Sequence, residues 1–422
     1  MHLLIKELYI QLSLICISIF PKILKIMKKF SFYLLITIII FVIINLLSVT
    51  TIYIITNKNY FNKEEYISFK KRFRKTDEKT VYPHPFFGFN HTYLKPAKDK
   101  ISLDEQLYSY IPNDIREKDI KILILGGSVA EDFSKNDDNS KFKINELEIN
   151  NKNIFQKVLN HKFKTNKFKV YNASIGGGKQ PQQLFKLYYL YLLNEKFDIV
   201  INIDGFNEVA LSFSENIQIE NNIIYPRNYS RLISTFNSDL SCVRKSNKLI
   251  KEYNLIPIFE IYKLFQIRKC HIKSEGSPTE KNSRFSKMSN FVKLEDDIYF
   301  NYIKKLWLKS SNEIDQFSKI KDFKYIHIIQ PNQYLEGSKI LSNEELDFLN
   351  YKKYGKPISK YYKNIKVEDL NVKYKLDLRY IFSDNDMTLY RDYCCHLNNK
   401  GMFLIASEIV DQFSQLFKET LE

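Results

Sequence analysis

The hydrophobic and polar positions after residue 115 follow a regular alternation. Short apolar runs, typical of buried strands, lie at residues 120–125, 168–172, 197–203 and 325–330. Helical patterns with one apolar face lie at residues 154–163, 182–193, 296–317 and 398–419. Strands that alternate with helices in this way predict a parallel sheet covered by helices on both faces. The expected fold class is therefore α/β, with three α/β/α layers.

The N-terminal part carries a different apolar pattern. Residues 30–57 contain no charged side chain and are rich in Ile and Leu, and about 20 apolar residues span a bilayer. The run is too long for a signal-peptide core and no Ala-x-Ala site follows it, which predicts an uncleaved transmembrane signal anchor. Lysines just before the run predict a cytoplasmic N-terminus: Lys22, Lys25, Lys28 and Lys29. We therefore expect a single-pass protein of the cell membrane whose large domain lies on the extracytoplasmic side.

The remaining segments complete a domain plan. Residues 1–29 are expected to be cytoplasmic, and Met27-Lys28-Lys29 looks like a natural start, so residues 1–26 are expected to be an upstream extension. An alternative is that residues 9–21, too short to span, form an interfacial segment. Residues 58–115 are expected to be an irregular linker that covers one end of the domain at residues 116–422. Within that domain the pattern is lost at about residues 212–289, which we interpret as an insertion.

The net charge and the cysteine content limit the classes of function that we expect for this chain. The chain has 64 Lys and Arg against 48 Asp and Glu, a net charge of +16. Nucleic acid, anionic lipid and anionic glycan all attract such a charge. Nucleic-acid binding is not expected, because no helix-turn-helix pattern, zinc spacing or RNP motif accompanies the charge. Five cysteines in 422 residues do not make a disulfide framework.

Polar and glycine residues follow the ends of three predicted strands. The first strand ends Gly126-Gly127-Ser128, where two glycines allow a tight turn that leaves the serine hydroxyl exposed. A plain helix N-cap is the alternative for Ser128. A glycine-rich loop, residues 176–178, follows the second strand, and its N–H groups can approach a ligand oxygen. Asn207 follows the third strand and can donate an amide hydrogen to an oxyanion, although a turn residue is the alternative.

Near the C-terminus an acid precedes a histidine by four residues. His396 stands just before the last predicted helix, and the Asp392 carboxylate can orient its ring as a general base. Asp384 and Asp386 are alternative partners. Cys394 and Cys395 lack the further ligands of a metal site, so we expect neither metal nor cofactor.

These four pieces, in this order, resemble the SGNH (GDSL-type) serine hydrolase superfamily in a membrane-anchored bacterial form. The resemblance covers roughly residues 118–212 and 322–420 and implies a flavodoxin-like α/β/α fold. It implies that Ser128 is the nucleophile, His396 the base and Asp392 its partner. It further implies an oxyanion hole formed by the N–H groups of Ser128 and Gly177 and by the Asn207 side chain.

The sequence also departs from the family pattern. Gly127 replaces the usual Asp before the nucleophile, and Glu208 replaces the Asp that ends the third block. The spacing between Asp392 and His396 is one residue longer than usual.

The implied activity is hydrolysis of O-acyl esters, in particular acetyl esters of cell-envelope carbohydrate, through an acyl-enzyme. The alternatives are an O-acetyltransferase that uses the same site and a non-catalytic glycan-binding protein on the same fold. Three amides are expected on the rim of the site, where they can bond sugar hydroxyls or serve only as caps and turn residues: Gln180, Gln330 and Asn332.

Overall fold

The computed structural model describes residues 2–72, 79–84, 86–93, 107–134, 138–144, 146–150, 152–217, 222–227, 248–275, 294–349 and 351–422, with backbone only over residues 2–26. The chain divides into two compact units. The first comprises Met1–Asp77 and Ser238–Ser277, and the second comprises Glu78–Asn237 and Pro278–Glu422.

The first unit is helical. Helix α1 (His2–Thr56) contains a 30-residue stretch, Met27–Thr56, that is long and apolar enough to cross a membrane. Helix α2 (Lys63–Arg72) follows it. Helix α7 (Pro257–Glu275), also in this unit, comes from the predicted insertion.

The second unit is built on a parallel sheet. Its strands are β3 (Ile120–Gly126), β6 (Phe168–Asn172), β7 (Ile199–Asp204), β8 (Lys324–Ile329) and β9 (Tyr374–Asp377). Their order is β6-β3-β7-β8-β9, and every neighbouring pair is parallel. Renumbered within the sheet this is the flavodoxin-like order 2-1-3-4-5. The predicted α/β class is confirmed, and β9 is a strand that the sequence pattern did not reveal.

Side chains of each strand alternate between two buried layers. On β3, Leu123 and Leu125 face one apolar cluster, whereas Ile122 and Ile124 face the other. The first layer contains α5 (Gln182–Leu192), α6 (Phe206–Leu211) and α8 (Asp296–Lys321), and the second contains α4 (Ile154–Lys162), α11 (Asn399–Gln412) and α12 (Ser414–Leu421). Full burial of an Ile or Leu side chain contributes about 1.5–3 kcal/mol to stability. The alternation of buried side chains therefore determines which face of the sheet packs against which helices.

Smaller elements complete the second unit. They are the hairpin β1 (Lys79–His84) and β2 (Gly88–Tyr93), helix α3 (Ser128–Asp132), the hairpin β4 (Phe142–Ile144) and β5 (Leu147–Ile149), helix α9 (Asn343–Asp347) and helix α10 (Lys356–Tyr361). Short π- and 3₁₀-helical turns lie at Ser212–Asn216, Tyr351–Gly355, Tyr362–Asn364 and Val367–Asp369.

Two segments differ from the irregular structure that we expected. Residues 58–115 contain α2 and the β1–β2 hairpin, whose Phe87 and Phe89 are buried in the first apolar layer. The insertion contains α7. In both cases burial against distant parts of the chain stabilises structure that the local pattern does not indicate. Residues 73–78 and 94–106 of the predicted linker and 218–221, 228–247 and 276–293 of the insertion region lie outside the described residues.

Candidate active site

Ser128 begins a short helix at the carboxyl end of the central strand β3. The preceding Gly126 has φ +145°, and a Cβ there would lie 2.2 Å from the carbonyl oxygen of Ile203 on β7. Only glycine therefore allows the end of β3 to approach β7 so closely. Ser128 is partly exposed, and in the described part of the chain its backbone N–H has no hydrogen-bond partner. The turn thus presents both the hydroxyl and a free N–H.

Asn207 lies directly against this turn. Its Nδ2 donates to the carbonyl of Gly178 at 2.8 Å, and a Cβ built on Gly127 would lie 2.2 Å from the same nitrogen. The second hydrogen of the amide remains for a ligand. Gly127, where the family has an acid, thus provides room for Asn207.

Two backbone hydrogen bonds hold the glycine loop after β6 against the end of β3. The Ala173 N–H donates to the carbonyl of Ile124 at 2.9 Å, and the Ile175 N–H donates to the carbonyl of Gly126 at 3.1 Å. Gly177 has φ +79°, and its backbone packs against Arg227, whose Cδ would lie 2.6 Å from a Cβ at this position. Among the described residues the Gly177 N–H, like that of Ser128, has no partner. The loop therefore holds a second free donor beside the first.

Glu208 ties the glycine loop to the turn that carries Asn207. Its carboxylate accepts from the backbone N–H of Gly205 at 2.7 Å and of Gln180 at 2.9 Å. Burial raises the pKa of Glu208 to about 8, and the charge of Asp204 adds to the shift. The second departure from the family pattern thus has a structural role.

Asp392 organises the loop that carries His396. Its Oδ2 accepts a hydrogen bond from His396 Nδ1, and its Oδ1 accepts from the backbone N–H groups of Cys394 at 2.9 Å, Cys395 at 3.2 Å and His396 at 3.3 Å. Within the described residues neither of the alternative acids forms a bond to this ring. The longer spacing therefore still permits an Asp–His pair, with Nε2 left free.

The charges around His396 favour its protonated form. Burial alone lowers the pKa of His396, but the hydrogen bond that its ring donates to Asp392 and the charges of Asp132, Asp392 and Cys394 together raise it to about 9. For Asp392 itself, burial raises the pKa, and the bond and charge of His396 more than reverse this, so its pKa is lowered. Two carboxylates thus act on the ring.

The second carboxylate connects the histidine loop to helix α3, which begins at Ser128. Asp132 lies four residues after Ser128, on the same face of α3, and both its oxygens accept from Arg391 Nη2, at 2.9 and 3.1 Å. Arg391 Nε also donates to the Leu397 carbonyl at 3.0 Å, and its N–H to the carbonyl of His396 at 2.9 Å. No local sequence pattern reveals this pair, although Asp132 follows Ser128 by four residues.

The predicted triad is only partly assembled by hydrogen bonds. The structure joins Asp392 to His396, and it joins Asn207 to the glycine loop beside Ser128. Over the ranges that the structure describes, no hydrogen bond links Ser128 to His396, and catalytic bonds of this kind are often long before a ligand binds.

The three amides expected on the rim are buried. Gln180 Nε2 donates to Asp204 at 3.3 Å, and the Asn332 side-chain oxygen accepts from the Tyr334 N–H at 2.9 Å. Each amide keeps one buried atom without a partner in the described part of the chain: Gln180 Oε1, Gln330 Nε2 and Asn332 Nδ2. They are interior polar groups rather than open rim groups.

A second Asp–His–Ser arrangement lies inside the first apolar layer. His327 Nε2 is 2.9 Å from Asp204 Oδ1, and its Nδ1 is 2.6 Å from Ser311 Oγ. Asp204 also accepts from Trp307 Nε1 at 2.7 Å and Asn202 Nδ2 at 2.6 Å. The Asp204, His327 and Ser311 side chains are at most 1% exposed. No substrate reaches them, so this network is structural.

One group of possible metal donors lies in the loop of His396. Cys394, Cys395 and His396 offer three donor atoms within 4.8 Å of one another. Structural zinc sites use four ligands, and His396 Nδ1 is already bonded to Asp392. Among the described residues this group is therefore one ligand short of such a site.

Comparisons with known proteins found similar solved structures only. No protein-family model and no curated protein matches the sequence. Similar solved structures include a protein described as a GDSL-like lipase from Parabacteroides merdae, at 11% identity over 71% of this chain and 98% of that chain, with a TM-score of 0.32. An acetylxylan esterase from Geobacillus stearothermophilus is 13% identical over 70% of this chain and 96% of that chain, with a TM-score of 0.32. An alpha/beta hydrolase from the Lake Arreo metagenome is 11% identical over 72% and 96%, with a TM-score of 0.33. These similarities concern the fold alone.

Proposed function

We propose that the chain is a serine esterase of the SGNH type, anchored in the cell membrane with its catalytic domain outside the cytoplasm. One observation supports it above all: at one edge of the sheet lie a partly exposed serine and N–H donors without a partner among the described residues, and the serine helix is joined to the loop of an Asp–His pair. Ser128, the Gly177 N–H and Asn207 follow three neighbouring strands, and Asp132 couples the serine helix to the loop of His396.

The mechanism follows from these positions. Ser128 Oγ attacks the ester carbonyl, and its proton passes to His396 Nε2 while Asp392 holds the ring. The carbonyl oxygen becomes an oxyanion that accepts from the Ser128 and Gly177 N–H groups and the Asn207 amide. Collapse of this intermediate breaks the ester bond, and the leaving alcohol takes the proton from His396. Water then attacks the acyl-enzyme by the same path and releases the acid.

The proposed substrate is an O-acyl ester, in particular an acetyl ester of cell-envelope carbohydrate. A membrane-bound catalytic domain outside the cytoplasm meets such glycans, and the net charge of +16 favours anionic ones.

The test is labelling of the purified full-length protein by a fluorophosphonate probe. We expect the wild type to be labelled and Ser128→Ala to be unlabelled, while Ser311→Ala, in the buried network, keeps the wild-type rate. Labelling of Ser128→Ala at the wild-type rate contradicts the serine mechanism. Release of p-nitrophenol from its acetyl ester, with and without an acetyl-free glycan acceptor, then separates hydrolysis from acyl transfer to sugar.

A further inference from the structure

Helix α7 of the insertion packs along the far end of α1. Its Ile261 and Leu264 contact a cluster that contains Ile52 of α1, and the Ile258 N–H lies 3.5 Å from Asn45 Oδ1. A completely buried ion pair between Glu260 of α7 and Lys70 of α2, 2.8 Å long, also joins α7 to α2. The position of α7 along α1 is therefore well defined.

The length of the apolar stretch shows where this contact lies. Thirty residues, Met27–Thr56, make a helix of about 45 Å, whereas the hydrocarbon core of a bilayer is about 30 Å thick and needs about 20 residues. If Lys28 and Lys29 mark the cytoplasmic boundary, the helix leaves the hydrocarbon near residue 47. The contact of α7 with Asn45 is at that level.

The outward face of α7 is aromatic. Phe259, Tyr262 and Phe265 recur at intervals of three residues and, with Leu255 just before the helix, they are 49–81% exposed. The opposite face carries the buried Glu260 and Ile267. Soluble surfaces rarely expose contiguous apolar side chains of this kind.

The residues that follow on the same helix are cationic. Arg268 and Lys269 are exposed one turn after Phe265. Aromatic rings are enriched at membrane–water interfaces, where their apolar bodies meet the acyl chains. Basic side chains nearby are attracted to anionic lipid phosphates. The face of α7 thus has the chemistry of an interfacial membrane-binding helix.

We propose that the exposed face of α7 lies in the outer interface of the bilayer, beside the point where α1 emerges, as a second membrane contact. The proposal rests on the membrane anchoring proposed above. Its occupant is lipid because α7 packs on α1, whose stretch Met27–Thr56 is apolar and largely exposed, and because basic side chains follow the aromatic ones on α7.

Tryptophan fluorescence of the full chain in vesicles of phosphatidylcholine and phosphatidylglycerol tests the contact. The single native Trp307 is fully buried, so its emission gives the baseline. We expect Tyr262→Trp to add blue-shifted emission that brominated acyl chains quench and aqueous iodide does not. The matched control is Phe61→Trp, in the turn after α1 and 72% exposed, which iodide should quench and bromolipid should spare.

The outcomes separate this proposal from the anchor itself. Quenching of Tyr262→Trp by iodide alone, in protein that resists carbonate extraction, overturns the α7 contact while the anchor stands. Protection of that residue from both quenchers also overturns it, since a protein surface would then cover the helix. Complete extraction of the wild type by carbonate would instead contradict the membrane anchoring on which the α7 contact rests. Phe259→Trp repeats the measurement one turn away if Tyr262→Trp does not fold.

Discussion

At the scale of single residues, the site depends on the lack of a side chain at Gly127 as well as on the side chains around it. Gly127 stands where the family has an acid, and the space left by its missing Cβ is occupied by the Asn207 amide. The same amide is fixed by Gly178, so one of its hydrogens is held in place before any substrate arrives. Donors fixed in advance stabilise a developing oxyanion without further reorganisation.

The first prediction tests this arrangement. Asn207→Ala should lower kcat about 100- to 1,000-fold, the usual loss for one oxyanion donor. Gly127→Ala should cause a similar loss, because its methyl group displaces the amide nitrogen. The double variant should lose little more than either single variant, since both remove the same donor. Multiplicative losses in esterase assays, or a fully active Gly127→Ala, would contradict the assignment.

The second prediction concerns pH. The pKa of His396 in the folded protein, about 9, lies above its ordinary value, so the neutral ring that acts as base appears only as pH rises through about 9. We expect kcat/KM to rise with pH toward a plateau above that value. Because folding raises the pKa of His396, protonation of its ring stabilises the folded protein. This contribution to the free energy of unfolding is complete below the unfolded pKa, about 6.5, and is lost as pH rises through about 9.

A matched pair of variants identifies the cause of the raised pKa. Three groups face the ring: Asp392, Asp132 and Cys394. Asp132→Asn removes one negative charge and should move the midpoint of the pH–rate profile downward. Asp411→Asn, in an exposed pair with Lys162, should leave it unchanged. An unaltered pH–rate profile for Asp132→Asn would show that Asp132 does not raise the pKa of His396.

At the scale of elements, two separate parts of the chain must meet for Ser128 and His396 to act as a unit. Helix α3 follows β3, whereas the histidine loop precedes α11, more than 250 residues later. The pair of Asp132 and Arg391 joins them directly, and both side chains are largely buried. Arg391 is therefore a positioning residue in the proposed mechanism.

The third prediction is that Arg391→Ala lowers kcat with little change in KM. A misplacement of 1 Å in reacting groups costs about 100-fold, and we expect a loss of that order. The control is Arg379→Ala, which removes an ion pair with Asp377 that involves no residue of α3. If both variants lose stability equally but only Arg391→Ala loses kcat, the pair positions the site. Equal effects on kcat would assign it a structural role alone.

The secondary-structure elements differ in how well the sequence predicts them. The strands that follow residue 119 were predictable because a fully buried parallel strand is apolar at nearly every position, and the polar residues after them were visible as motifs. Strand β9 is only half-buried at the sheet edge, so its pattern is weak. The burial of Gln330 and Asn332 and the ion pair of Arg391 depend on contacts between distant segments, which no local pattern contains.

At the scale of the whole molecule, the chain combines an α/β sheet unit with a helical unit built around an apolar helix. The insertion after β7 contributes α7 to the helical unit, so the two units are interleaved in sequence. The chain therefore passes from the sheet unit to the helical unit and back within the insertion. Removal of α1 alone would leave Ile261 and Leu264 of α7 without their apolar partners.

The last prediction concerns the anchor. The wild type should remain in the membrane fraction after carbonate washing, with residues 58–422 open to protease from outside the cytoplasm in wall-free cells. Arginine at the centre of a spanning helix costs about 2.5–3.5 kcal/mol, so Ile36→Arg with Ile40→Arg should release much of the protein. Ile54→Arg adds the same side chain near the end of α1, beyond the hydrocarbon, and should release little. Equal release by both variants would show that Met27–Thr56 is not held by lipid, and protection of residues 58–422 from protease would reverse the orientation.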